Sequence, residues 1–169
     1  MRILVLLPCN KGAKEGDYSK GRYWRVLIKN LEEYGIRKYV TIGAIDCIPL
    51  HHNLGDCVVL EDEMWRVKGY ESRPEYHPDL IPKMAECILR GIQRISGQFD
   101  KIYILVNVKL YYEATKHMLE KIKDDKIVLV EIADMKPGKF CRKIKELAGW
   151  LAKNIKEHDN INIEKKQYR

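Results

Sequence analysis

The sequence contains no C-x-x-C pair, no phosphate loop of the G-x-x-x-x-G-K-[ST] type, no internal repeat and no low-complexity block. No apolar run approaches the roughly 20 residues that cross a bilayer as a helix. These absences argue against a zinc knuckle, a common nucleotide-triphosphate loop, a solenoid and a membrane span. The apolar run after Met1-Arg2 ends at Pro8-Cys9 with no small-residue cleavage site, so a signal peptide is not expected. The expectation is a cytoplasmic protein with no membrane partner. In that setting its five cysteines (Cys9, Cys47, Cys57, Cys87 and Cys141) stay reduced.

What is present is ordinary for a folded domain. The chain has 169 residues, 46% hydrophobic and 33% charged, enough for one domain with its own core. Lys and Arg number 31 against 24 Asp and Glu, a net charge of +7. That balance admits a polyanionic partner such as tRNA or another nucleic acid. On charge alone a solvated lysine-rich surface accounts for it better, since each helical stretch carries acids as well as bases.

Periodicity gives the organisation. Ile3 to Leu7 is an unbroken apolar run, as in a strand buried on both faces. Trp24, Leu27, Ile28, Leu31 and Tyr34 recur at helical spacing, with Gly35 placed to end the helix. Tyr39–Ala44 reads as a second strand and Cys57–Leu60 as a short edge strand. The stripe from Leu80 to Ile95 is the clearest helix, with Pro78 or Pro82 in its first turn. Ile102–Val106 and Ile127–Ile132 are strands; Tyr111–Ile122 and Phe140–Ile155 are helices. The alternation predicts a three-layer α/β/α domain over residues 1–159. Its main sheet is parallel and four-stranded, order 2-1-3-4, with one short extra strand. Residues 160–169 read as a loose polar tail.

In such sheets ligands sit beyond the carboxyl ends of the strands, where the strand order reverses. The first strand flanks that point and ends in Pro8-Cys9-Asn10. Around it stand Lys11, Lys14, Tyr18, Ser19 and Arg22. A thiol among fixed cations has its thiolate stabilised and becomes a nucleophile. The alternative is a small cysteine capping a buried strand beside surface lysines. Arg22 and Arg25 can bind phosphate with a helix N-terminus, or be solvated.

After the second strand comes Asp46-Cys47-Ile48-Pro49-Leu50-His51-His52. Asp46 can anchor a substrate or serve as turn chemistry. The adjacent histidines can bind metal or work as acid and base; neighbours in sequence rarely point the same way, so no metal site is expected. Glu61-Asp62-Glu63 precedes Trp65 and Tyr70, which can stack on a base or cover the core edge. Asn107 and Asp134 end the later strands, and position is their only warrant.

The order Pro8-Cys9, Lys14, Tyr18-Ser19, Arg22 resembles a motif of the archaeosine synthases, the archaeal paralogues of tRNA-guanine transglycosylase. That motif has the form P-C-x-x-x-K-P-Y-x-x-S-x-x-H and lies directly after a buried strand. Here Lys14 stands one residue late, Glu15-Gly16-Asp17 separate it from Tyr18, and Tyr23 or Trp24 takes the histidine position. VTIGAIDCIPL resembles the strand-and-proline segment that follows. The likeness covers about 100 N-terminal residues; the barrel, zinc site and RNA-binding module of the full-length enzymes do not fit in this length.

The resemblance implies an isolated copy of one domain, acting on a 7-cyano-7-deazaguanine base already placed in tRNA. An amine adds to the nitrile and gives an amidine-type product. For such a reaction we expect Cys9 to add to the nitrile carbon, Lys11 or Lys14 to stabilise the developing negative nitrogen, and Tyr18 or Ser19 to orient or donate a proton; Cys9, Lys14, Tyr18 and Ser19 are the catalytic candidates. Asn10, Lys11, Arg22, Asp46 and Asn107 are expected to bind substrate. No cofactor is expected, and a separate subunit supplies the RNA-binding or catalytic domains. Two other classes stay open: a non-catalytic RNA-binding subunit and a small-molecule nucleotide-binding domain.

Overall fold

In a computed structural model of the chain, residues 1–9, 18–46, 56–61 and 76–167 are described. Their elements are β1 (Ile3–Pro8), α1 (Arg22–Glu33), β2 (Val40–Ile45), β3 (Val58–Leu60), α2 (Ile81–Ile95), β4 (Lys101–Ile104), α3 (Lys109–Ile122), β5 (Ile127–Leu129) and α4 (Pro137–Gln167). The sheet order is β3-β2-β1-β4-β5. β1 pairs in parallel with β2 and β4, and β4 with β5, while β3 runs antiparallel on the β2 edge. The four main strands thus stand in the expected 2-1-3-4 order, with the short strand at an edge.

β1 is buried along its whole length because both sheet faces are covered. Its side chains alternate between two cores. Leu4 and Leu6 pack with Met84, Ile88 and Ile92 of α2 and Leu110 and Met118 of α3. Ile3, Val5 and Leu7 pack with Trp24, Leu27 and Leu31 of α1 and Phe140, Ile144 and Leu151 of α4. Cys9 touches both cores, at the seam where the strand ends.

Local chemistry sets the ends of the helices. α1 stops where Gly35 takes a φ of +71°, a conformation that suits glycine. The Ile36 N–H then donates to the Leu31 carbonyl and the Gly35 N–H to that of Glu32, both at 3.0 Å. Both prolines before the second long helix have a place. Pro78 opens the 3-10 turn Pro78–Leu80, and Pro82 lies in the first turn of α2.

α2 sits directly on β3. A Cβ added at Gly91 would lie 2.9 Å from both the Val58 nitrogen and its Cγ2. Arg94 donates to the Val58 carbonyl at 2.9 Å. Glu61 is part of the same edge: Arg37 donates to both its carboxylate oxygens at 2.9 Å, and the Ile42 N–H donates to Oε2 at 3.2 Å. The acidic residue considered beside a stacking surface is thus a clamp between β2 and β3.

One expectation is corrected. Residues 160–167 are not a loose tail; the α4 backbone stays helical through Gln167. Past Gly149 the sequence has no Gly or Pro to stop a helix, and Lys, Glu and Gln are good helix formers. No helix among the described residues is long and apolar enough to cross a membrane.

Candidate active site

Cys9 follows β1 by one residue, and its N–H donates to the Ile45 carbonyl at 3.0 Å. The parallel register sets Pro8 opposite Ile45. The next step along each strand sets Cys9 beside Asp46. The Asp46 N–H donates to the Cys57 carbonyl at 2.8 Å, which ties that carboxyl to the chain entering β3. A thiol and a carboxyl thus meet at the carboxyl end of the sheet because β1 and β2 run the same way.

Two phenols complete the cluster. The Tyr111 hydroxyl, from the first turn of α3, lies 3.4 Å from Cys9 Sγ. Tyr18 is fully buried in the 3-10 turn before α1 and stacks on Trp24 with ring centroids 5.7 Å apart. Its O–H donates to Asp46 Oδ2. The other carboxylate oxygen, Oδ1, is buried with no hydrogen-bond partner among the described residues. Buried polar atoms normally find a partner, so an open acceptor at a strand end marks a place for a donor from a ligand.

The electrostatics differ from the expected stabilised thiolate. Burial pushes the Cys9 thiol up to about 12, the Asp46 charge adds to that rise, and the Tyr111 hydrogen bond opposes it. Burial likewise raises the Asp46 carboxyl above its usual range, with the Tyr18 hydrogen bond opposing. At neutral pH the thiol therefore keeps its proton. Lys11 and Lys14, the cations behind the original expectation, lie outside the described residues.

Several other predicted residues also fall outside them: Asn10, Cys47, His51, His52, Trp65 and Tyr70. Ser19 sits in the same 3-10 turn as Tyr18. Arg22 stands exposed at the start of α1 and has no hydrogen bond or ion pair to the cluster among the described residues. Asn107 acts as a brace. Its amide donates to the Tyr23 hydroxyl at 3.0 Å and the Met135 carbonyl at 3.1 Å, joining the start of α1 to the start of α4. Asp134 pairs with Lys139 at 3.1 Å and accepts from the Lys136 N–H at 2.8 Å.

Tyr111 is the cluster residue that sequence reasoning missed. It shares an apolar stripe with Leu110, Ala114 and Met118, so it reads as core. The available signal was its hydroxyl, because a buried phenol needs a polar partner.

The remaining cysteines divide. Cys57 is disulfide-bonded, contrary to the expectation of reduced thiols, whereas Cys9, Cys87 and Cys141 are free. Among the described residues no three His, Cys, Asp or Glu side chains come together to hold a metal. A separate hollow of about 420 Å³ opens beside Tyr103, Val130, Leu147 and Trp150. None of its lining residues belongs to the Cys9 cluster.

Chemically, the cluster offers a nucleophilic atom, a neighbouring carboxyl able to take its proton, and hydroxyls that hold both in place. No family model matches the chain, and no curated protein does. Among solved structures it is similar to the crystal structure of AF0587, a protein of unknown function, with a TM-score of 0.52 and 18% sequence identity. The likeness covers 86% of this chain and 44% of that one, so this chain spans under half the length of AF0587. At that identity the two share a fold, and nothing further is carried across.

Proposed function

We propose that this chain is an RNA-modifying domain resembling the archaeosine synthases, and that it adds an amine to the nitrile of a deazaguanine base in tRNA. The observation that carries the reading is the convergence of Cys9, Asp46, Tyr18 and Tyr111 where β1 and β2 end.

Cys9 is the nucleophile. Its sulfur bonds to the nitrile carbon as one carbon–nitrogen π bond breaks. The thiol proton passes to Asp46 and from there to the nitrile nitrogen, leaving a neutral thioimidate. An amine co-substrate then attacks the same carbon, the carbon–sulfur bond breaks, and the proton returns to sulfur. The product is an amidine, and no electron is gained or lost. Asp46 suits this task because its proton affinity is raised, so it can hold the proton between the two transfers. Tyr18 fixes the carboxyl through Oδ2 and leaves Oδ1 open to the base. Tyr111 holds the sulfur in place from the opposite side of the sheet.

The test is Cys9→Ala in an assay of amine transfer to nitrile-bearing tRNA. The reading predicts a loss of at least about 1,000-fold in turnover, the scale of removing a catalytic nucleophile. Undiminished turnover contradicts it.

A second reading, a non-catalytic RNA-binding subunit, is favoured by the protonated resting state of the thiol. Alkylating Cys9 separates the two: loss of the chemical step with RNA binding intact supports the enzyme, and no effect on either supports the subunit.

A further inference from the structure

The first turns of α1 and α4 carry cations and no acid. On α1, Arg22, Arg25 and Lys29 fall three and four residues apart, on one stripe, and all three are exposed. The first acid of that helix is Glu32, near its far end. Lys136, Lys139 and Arg142 repeat the pattern at the start of α4, again exposed, and the first acid of that helix is Glu146. The other layer is mixed: α2 carries Glu86 among its lysine and arginines, and α3 carries Glu113 and Glu120 among its lysines.

The fold brings the two stripes together. α1 and α4 pack side by side over the same sheet face, and the edge-to-face Tyr23–Phe140 pair joins them at 4.6 Å. Asn107 links Tyr23 to the Met135 carbonyl. Both helices follow parallel strands, so both begin at the carboxyl end of the sheet, the end that carries Cys9. Among the described residues only Lys139 of the six cations has an ion pair, with Asp134. Cations in a first turn also oppose the helix macrodipole, so helix stability does not explain their position.

We infer that the outer face of the α1/α4 layer, at the Cys9 end of the sheet, binds the phosphate backbone of an RNA. This rests on the nucleic-acid part of the function proposed above and is independent of its chemistry. Two cationic stripes on parallel helices match a line of regularly spaced phosphates, and such contacts position a nucleic acid without reading its bases. The arrangement sets the backbone beside the site and leaves the open Asp46 oxygen to the base.

The test is fluorescence anisotropy of labelled transfer RNA with the full chain at several potassium chloride concentrations. Each lost phosphate contact flattens the slope of log affinity against log salt by slightly under one. Arg22→Ala/Arg25→Ala/Lys29→Ala and Lys136→Ala/Lys139→Ala/Arg142→Ala should each flatten it by nearly three and weaken binding at low salt. Arg22→Lys/Arg25→Lys should keep the slope, separating charge from any loss of fold. Lys83→Ala/Lys116→Ala/Lys121→Ala, on the α2/α3 layer, should leave it unchanged, as should Cys9→Ala. The inference is overturned if the α2/α3 variant flattens the slope as much as the α1/α4 variants, if neither α1/α4 variant changes it, or if the chain binds anionic vesicles and not RNA. Full turnover in Cys9→Ala beside a flattened slope in the α1/α4 variants would remove the chemistry and keep the surface.

Discussion

A thiol that titrates at about 12 becomes a nucleophile only when a neighbour removes its proton. Cys9 therefore carries a distinctive signature. Below pH 12 its thiolate fraction rises about tenfold per pH unit, so its alkylation rate should climb across the whole alkaline range. At pH 8 it should react about 1,000-fold more slowly than a thiol titrating at 9. Two variants shift this profile in opposite directions. Asp46→Asn removes a charge that raises the thiol, so it should speed alkylation. Tyr111→Phe removes a hydrogen bond that lowers the thiol, so it should slow alkylation. A rate profile with iodoacetamide at pH 7 to 11, resolved by peptide mass, checks this; a plateau near pH 9 in the unsubstituted chain refutes it. Asp46→Asn should speed alkylation and yet slow amine transfer, because in the proposed reaction the same carboxyl that discourages the thiolate at rest receives its proton. The rise in the thiol was not legible in the sequence. Lys11 and Lys14 neighbour Cys9 along the chain and suggested a stabilised thiolate, whereas Asp46 reaches it only through the register of β1 with β2.

At the scale of elements, tight seating decides what each position tolerates. α2 approaches β3 so closely that Gly91 has no room for a methyl group. Gly91→Ala should cost about 1–3 kcal/mol, the usual penalty of overpacking, even though alanine is the better helix former. Urea denaturation measures this, and an unchanged or higher midpoint would show that α2 can shift outward. Periodicity revealed these elements because each must bury a face. The unbroken run Ile3–Leu7 required cover on both sides, and Gly35 marked the end of α1. Contacts between elements were harder to see. Tyr111 lies on a stripe that reads as core, and Asn107, expected near a pocket, instead braces α1 against the approach to α4. The α4 boundary failed for another reason: the apolar pattern ends near Ile155, but nothing in the following residues stops the helix.

For the whole molecule, the net charge of +7 is less informative than its distribution. Each long helix contains both signs, which on the sequence argued for a solvated surface. Once α1 and α4 are laid side by side, the cations of their acid-free first turns stand together at the end of the sheet that holds Cys9. That same end carries the Asp46 carboxylate oxygen that has no partner among the described residues. A basic face beside a thiol–carboxyl pair is the arrangement the proposed function requires.

The central claim is that Cys9 forms a covalent bond to substrate, and an acid-quenched mass measurement tests it most directly. The chain is mixed with transfer RNA bearing 7-cyano-7-deazaguanine, without amine, then digested with nuclease and protease. The account predicts a thioimidate-linked nucleoside on the Cys9 peptide. It should disappear when amine is supplied, be absent in Cys9→Ala and be reduced in Asp46→Asn. An unmodified Cys9 peptide in a preparation that still turns the nitrile over would contradict it.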